Sequence, residues 1–147
     1  MSLDPAALPP EVLTFVTERH LATLATLRPD GSPHVTPVGF TWDPDSGLVR
    51  IITFAGSSKV RHITRSGGPN VSRLGEPPPA AARSDRVAVC QVDGGRWLTF
   101  EGRAQVTHDP GRIAEAVRRY AARYRTPGDR PDRVAIEVTV DRVLGRA

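Results

Sequence analysis

Three residue types are nearly missing from this chain of 147 residues: it has one cysteine, Cys90, one lysine, Lys59, and one methionine. A lone cysteine rules out an internal disulfide and cannot by itself hold a metal, so a reduced cytoplasm is the expected setting. No apolar run approaches the roughly 18 residues that a membrane span needs. The opening MSLDPAALPP has neither the basic start nor the apolar stretch of a secretory signal. Aromatic residues make up 5% of the chain, and the nineteen arginines are scattered without a basic run. That argues against a nucleic-acid module, despite a net charge of +4 and a pI near 10.2. The charge fits a milder preference for anionic small molecules. His20, His34, His62 and His108 lie far apart and show no metal-ligand spacing, so no metal site is expected. No serine sits in a nucleophile elbow, and no GxGxxG follows a strand. With no side-chain catalytic set in view, any enzyme built on this chain needs a bound cofactor.

What is present reads as one globular domain, 1–147, with 39% hydrophobic and 24% charged residues. Pro9-Pro10 opens a short helix on which Val12, Phe15 and Val16 share a face. Leu21 to Leu27 is a strand with small and apolar residues on both sides, which predicts cover on both faces. A Pro29–Ser32 turn leads to a second strand from about His34 to Trp42. The Asp43–Gly47 turn then leads to a third strand. The Gly67 to Asp85 stretch, rich in Gly, Pro and Ala, reads as a flexible surface insertion. Arg86 to Val92 and Arg96 to Thr107 form a hairpin around Asp93-Gly94-Gly95. In its second strand Leu98, Phe100, Gly102, Ala104 and Val106 face one way. Trp97, Thr99, Glu101, Arg103 and Gln105 face the other. Asp109-Pro110 caps a helix carrying Ile113, Val117, Tyr120, Ala121 and Tyr124. Val134 to Asp141 is the last strand. The sum is a mainly β chain, with six antiparallel strands and about three short helices. A small barrel is the natural way to close such strands and remove their edges.

The stretch around which the rest is organised is Leu48 to Ser66, LVRIITFAGSSKVRHITRS. A strand stops at Ala55-Gly56 and restarts as a helix through Ser57, Ser58 and Lys59. Free backbone N–H groups, two hydroxyls and one ammonium at such a turn suit a phosphate. An ordinary junction with a serine N-cap and a solvated lysine fits the same residues. Trp97 stands on the polar face of its strand beside a hairpin tip, where burial of so large a ring is favourable by about 1.5–3 kcal/mol. A subunit interface near a cofactor suits it better than the core, whose positions on that strand are already filled.

Three stretches carry a family resemblance: HLATLATLRPDGSPHVTPVGFTWDP (His20–Pro44), VRIITFAGSSKVRHITR (Val49–Arg65) and VAVCQVDGGRWLTFEGRAQV (Val87–Val106). They resemble the split β-barrel flavin and deazaflavin oxidoreductases related to pyridoxamine 5′-phosphate oxidase. The nearest likeness is to the actinobacterial F420-dependent biliverdin reductases, strengthened by RYRTPGDRPDRVAIEVTVDRVLG (Arg123–Gly145). The resemblance implies a cytoplasmic homodimer with two cofactor sites at the subunit interface, binding coenzyme F420, with FMN as the alternative. It implies hydride transfer to a conjugated small molecule, a tetrapyrrole such as biliverdin; a non-catalytic flavin, deazaflavin or tetrapyrrole carrier is the rival. Carried over by position, Arg50, Ile51, Ile52 and Thr53 line the cofactor ring. Ser57, Ser58 and Lys59 hold its phosphate. His34, Thr36, Pro37 and Val38 lie beneath the ring system, and Gln91 and Trp97 lie near the partner's site. His34 is also a candidate proton donor. Two departures qualify the match. Many relatives have arginine where this chain has Ser57. The chain also ends at Arg146-Ala147, without the Arg- and Trp-containing segment of the vitamin B6 oxidases, which sets the expectation away from that reaction.

Overall fold

The computed structural model describes residues 1–64 and 85–147. The expected insertion at about 67–85 lies outside those residues except for Asp85. The elements in order are β1 (Ser2–Leu3), α1 (Pro10–Thr17), β2 (Ala22–Leu27), β3 (Pro33–Val38), β4 (Phe40–Asp43) and β5 (Leu48–Phe54). They continue with α2 (Ser58–Thr64), β6 (Arg86–Asp93), β7 (Arg96–Thr107), α3 (Pro110–Arg123) and β8 (Arg133–Arg146). Each helix starts where the sequence offers a reason. Pro10 stands in the first turn of α1, and Val12, Phe15 and Val16 are its buried stripe. Asp109 caps α3, its Oδ2 accepting from the Arg112 amide at 2.9 Å.

The strands form one antiparallel sheet in the order β3-β2-β6-β7-β8-β5-β4, with β1 paired to the end of β8. Its two outermost strands, β3 and β4, are consecutive in the chain and separated by Gly39 alone. The sheet therefore rolls on itself until its edges meet at that residue, which makes the split barrel. The expected single strand from His34 to Trp42 is broken there. A Cβ on Gly39 would stand 2.9 Å from the Tyr120 ring and 3.1 Å from that of Tyr124, so α3 presses against a bare backbone. With that break and with β1, six expected strands become eight among the described residues, and the last of them, β8, runs on to Arg146. The β7–β8 ladder shifts register between Glu101 and Gly102. At Gly102 a Cβ would lie 2.1 Å from the Thr139 carbonyl oxygen.

The interior holds Leu24, Phe40, Val49, Ile51, Val89, Leu98, Phe100, Ile136 and Val138, all essentially inaccessible. The Trp42 ring stacks on Phe100 at 4.9 Å, and the Phe40 ring meets Phe100 edge-on at 5.7 Å. Within the protomer β2 is covered on one side: Ala22, Leu24 and Thr26 are buried but Thr23 is exposed. Leu21, Val35 and Val92 are also exposed on or beside that open face. No helix among the described residues is long and apolar enough to cross a membrane.

Candidate functional site

The β5–α2 turn keeps part of the predicted cradle free. The Ser57 hydroxyl is buried and caps α2: it accepts from Thr53 Oγ1 at 3.3 Å and from the Val60 amide at 3.4 Å. Ser58 Oγ accepts from Arg61 Nη2 at 3.0 Å, while Arg61 Nη1 donates to the Gly56 carbonyl at 2.7 Å. Lys59 has no hydrogen-bond or ion-pair partner among the described residues. Burial pulls its ammonium below the ordinary lysine value. A half-buried cation with no counter-charge is what an anionic ligand group would compensate. The capping role first weighed against phosphate binding is thus real for Ser57 and does not extend to Lys59. Sequence reasoning missed Arg61, one helical turn from Ser57, which brings a second cation to the turn.

α2 packs across β2 and β7 and carries His62 inward. His62 Nδ1 lies 2.9 Å from Thr26 Oγ1, and the His62 ring meets that of His34 at 5.0 Å, nearly perpendicular. Two histidines far apart in sequence are therefore neighbours. His34, Thr36 and Val38 of β3 pair with Thr26, Leu24 and Ala22 of β2 and point to the same side. Pro37 lies on the other side and is exposed. His34 Nδ1 and Thr36 Oγ1 are buried without partners among the described residues, which gives this wall unmet hydrogen-bonding capacity.

The strand period divides the residues expected along β5. Ile51 and Thr53 fall on the interior side; Arg50 and Ile52 fall on the side facing α3. Arg50 Nη1 donates to Asp43 Oδ2 at 2.8 Å, and its Nε lies 3.9 Å from Glu137. Asp43 also receives Arg119 at 3.1 Å, Glu115 holds Arg119 at 2.7 Å, and Glu137 receives Arg112 at 3.0 Å. This network clamps α3 on the sheet and engages Arg50 in it. Gln91 has no exposed surface. Its Nε2 donates to the Phe15 carbonyl at 2.8 Å, and its Oε1 accepts from Arg123 at 2.6 Å. Both ends of its amide are thus used inside the protomer. Trp97 is half-buried, opposite Val92 of β6 and Arg146 of β8, on the open face of the sheet. At one corner Glu18, His20 and Asp93 lie within 4.8 Å of one another, and Arg96 bridges Glu18 at 3.2 Å and Asp93 at 2.5 Å. That guanidinium already offsets part of the negative charge of the corner.

The family described as pyridoxamine 5′-phosphate oxidase matches residues 8–147. The chain is 47% identical over 137 residues to a Mycobacterium tuberculosis (strain CDC 1551 / Oshkosh) protein named F420H(2)-dependent biliverdin reductase. That match spans 93% of this chain and 87% of the relative. Among solved structures, a conserved hypothetical protein from Mycobacterium tuberculosis superposes with a TM-score of 0.72 at 22% identity, over 99% of this chain and 89% of the other. A structure titled F420 Reductase superposes with a TM-score of 0.67 at 24% identity, over 93% of this chain and 98% of the other. At those identities the two structures speak for the fold.

Proposed function

Because the chain belongs to the pyridoxamine 5′-phosphate oxidase family, we propose that it is an F420-dependent oxidoreductase acting on a conjugated tetrapyrrole such as biliverdin. The observation that carries the reading is Lys59: a half-buried ammonium without a partner among the described residues, at a strand–helix turn that also holds Arg61 and the Ser58 hydroxyl. These residues fit an anionic phosphate, so Lys59, Arg61 and Ser58 would hold that part of the coenzyme. When bound, the reduced deazaflavin supplies the hydride. The chain's own contribution is placement and exclusion of water. Thr53 stands beside the turn and His34 and Thr36 of β3 offer polar atoms, while Ile51 is enclosed in the core. His34 is the group on β3 that can deliver a proton, and the His62 ring packs edge-on against it.

The open sheet face supports a homodimer. Val35, Ala25 and Ala88 stand in one cross-strand row, and Val92 and Trp97 stand opposite each other. An apolar face of this kind is normally covered by a partner. In this reading Trp97 belongs to the interface, and the enzyme works in the cytoplasm.

The test is direct. The purified protein is titrated with F420 and with FMN separately, followed by fluorescence, and reduced F420 is then mixed with biliverdin. Tight F420 binding with oxidation of the coenzyme only when biliverdin is present supports the proposal. Preferential FMN binding replaces the cofactor assignment, and binding without turnover makes the protein a carrier.

A further inference from the structure

A cleft of about 260 Å³ lies between α1 and α3, over the free edge of β4. It shares no residue with the β5–α2 turn. Two residues of its floor, Thr41 and Trp42, are 7% and 9% exposed, and the Thr41 hydroxyl and the Trp42 indole N–H have no partner among the described residues. An indole N–H can only donate, so an acceptor is what this floor lacks. The edge adds a third donor. The Phe40 amide donates to Tyr124 Oη at 3.2 Å and its carbonyl accepts from Arg123 at 2.5 Å, so the backbone of Phe40 points away from β5. Alternation along an antiparallel edge then turns the Trp42 amide the same way, toward the cleft.

Charge points in the same direction. Arg123 lines the cleft and donates to the Glu18 carbonyl at 2.9 Å, the Phe40 carbonyl and Gln91 Oε1. All three acceptors are neutral. Three of its five N–H groups are used, and no carboxylate pairs with it among the described residues. A half-buried guanidinium without a counter-ion is electrostatically incomplete. Val16 and Ala122 give the cleft an apolar side, and Thr17, Arg118 and Arg119 complete its lining. We propose that this cleft binds a small carboxylic acid with an apolar body, its carboxylate received by the Trp42 backbone N–H, the Thr41 hydroxyl and Arg123, with the Trp42 indole as the nearby reporter.

The chain has two tryptophans, so a ¹⁵N-labelled sample gives two indole N–H signals, assigned with Trp97→Phe. The full chain is titrated with benzoate, with benzyl alcohol as its uncharged counterpart, and with inorganic phosphate. Benzoate moves the Trp42 signal saturably and leaves that of Trp97 in place; benzyl alcohol does not. Thr41→Val weakens benzoate about tenfold, as loss of one hydrogen bond to a charged group should. Ala122→Phe, on the exposed surface of α3, fills the cleft and abolishes the saturable shift; it serves if Thr41→Val fails to fold. Absence of saturable movement overturns the proposal and leaves a solvent-filled cleft. So does equal movement with benzyl alcohol, phosphate binding as tight as that of benzoate, or benzoate affinity unchanged in both variants.

Discussion

Replacing Asp43 by asparagine separates the charge of this residue from its shape. The carboxylate is buried, with a side chain 6% exposed; it accepts from the Asp45 amide at 3.1 Å, Ser46 Oγ at 2.6 Å and Arg50 at 2.8 Å, and forms an ion pair with Arg119 at 3.1 Å. Burial alone would raise its pKa. The Ser46 and Arg50 hydrogen bonds and the charges of Arg119 and Arg50 outweigh that and bring it down to about 2. Removing one partner of a buried ion pair costs about 3–5 kcal/mol. Arg119 keeps Glu115, and asparagine keeps an acceptor, so about 3 kcal/mol is expected near neutral pH. The sign of the pH dependence follows from linkage. The unfolded carboxyl, near 3.8, binds its proton more readily than the folded one, so stability rises with pH between about 2 and 4 and is flat above. That contribution is roughly 2 kcal/mol at neutral pH and is lost as pH falls through the folded value. Urea unfolding of parent and variant, followed by circular dichroism, should show the gap narrowing by about 1.5 kcal/mol between pH 7 and about pH 2.5. The other acids titrate alike in both chains and cancel, apart from coupling through Arg119. An identical gap at both pH values would falsify the assignment of Asp43 as a charged anchor of α3.

Lys59→Ala should raise the F420 dissociation constant about tenfold to a hundredfold with the thermal midpoint unchanged, since a charged hydrogen bond is worth about 1.5–3 kcal/mol; equal affinity by fluorescence titration removes Lys59 from the site. Trp97→Ala should loosen the dimer or lower cofactor affinity while the fold survives, whereas Trp42→Ala should cost about 3–5 kcal/mol of stability, because Trp42 stacks on Phe100 in the core. Light scattering and urea unfolding decide, and a Trp97 variant matching the parent in mass, affinity and rate refutes the interface placement. Gly102→Ala forces a methyl group onto the Thr139 carbonyl and should destabilise by more than about 2 kcal/mol; a thermal midpoint like that of the parent would show that the β7–β8 ladder yields there at no cost.

Regular alternation made β7 legible from the sequence, and Asp109-Pro110 marked the start of α3. β1 offers two residues and no pattern, and the break at Gly39 is imposed by the rings of Tyr120 and Tyr124, residues more than eighty positions away. The end of β8 past Asp141 depends on the bulge opposite Glu101, which no local signal announces. Within the site, the strand period itself held information that the positional match to the family did not use. Gln91 is in phase with buried Val87 and Val89, and Arg50 is out of phase with Val49 and Ile51. Both follow from period two. The meeting of His34 with His62 does not, because it depends on where α2 docks.

Arg123 also bears on the order in which the chain assembles. From α3 it reaches the end of α1, strand β4 and strand β6, across 105, 83 and 32 residues of chain. None of those acceptors is in place until the barrel has been rolled, which predicts that α3 settles late in folding. Truncating Arg123 to leucine should then speed unfolding and leave the refolding rate nearly unchanged, a φ-value near zero. In stopped-flow traces the helix would be the last element to arrive and the first to leave. The lifetime of the native state, more than the speed of reaching it, would rest on one guanidinium.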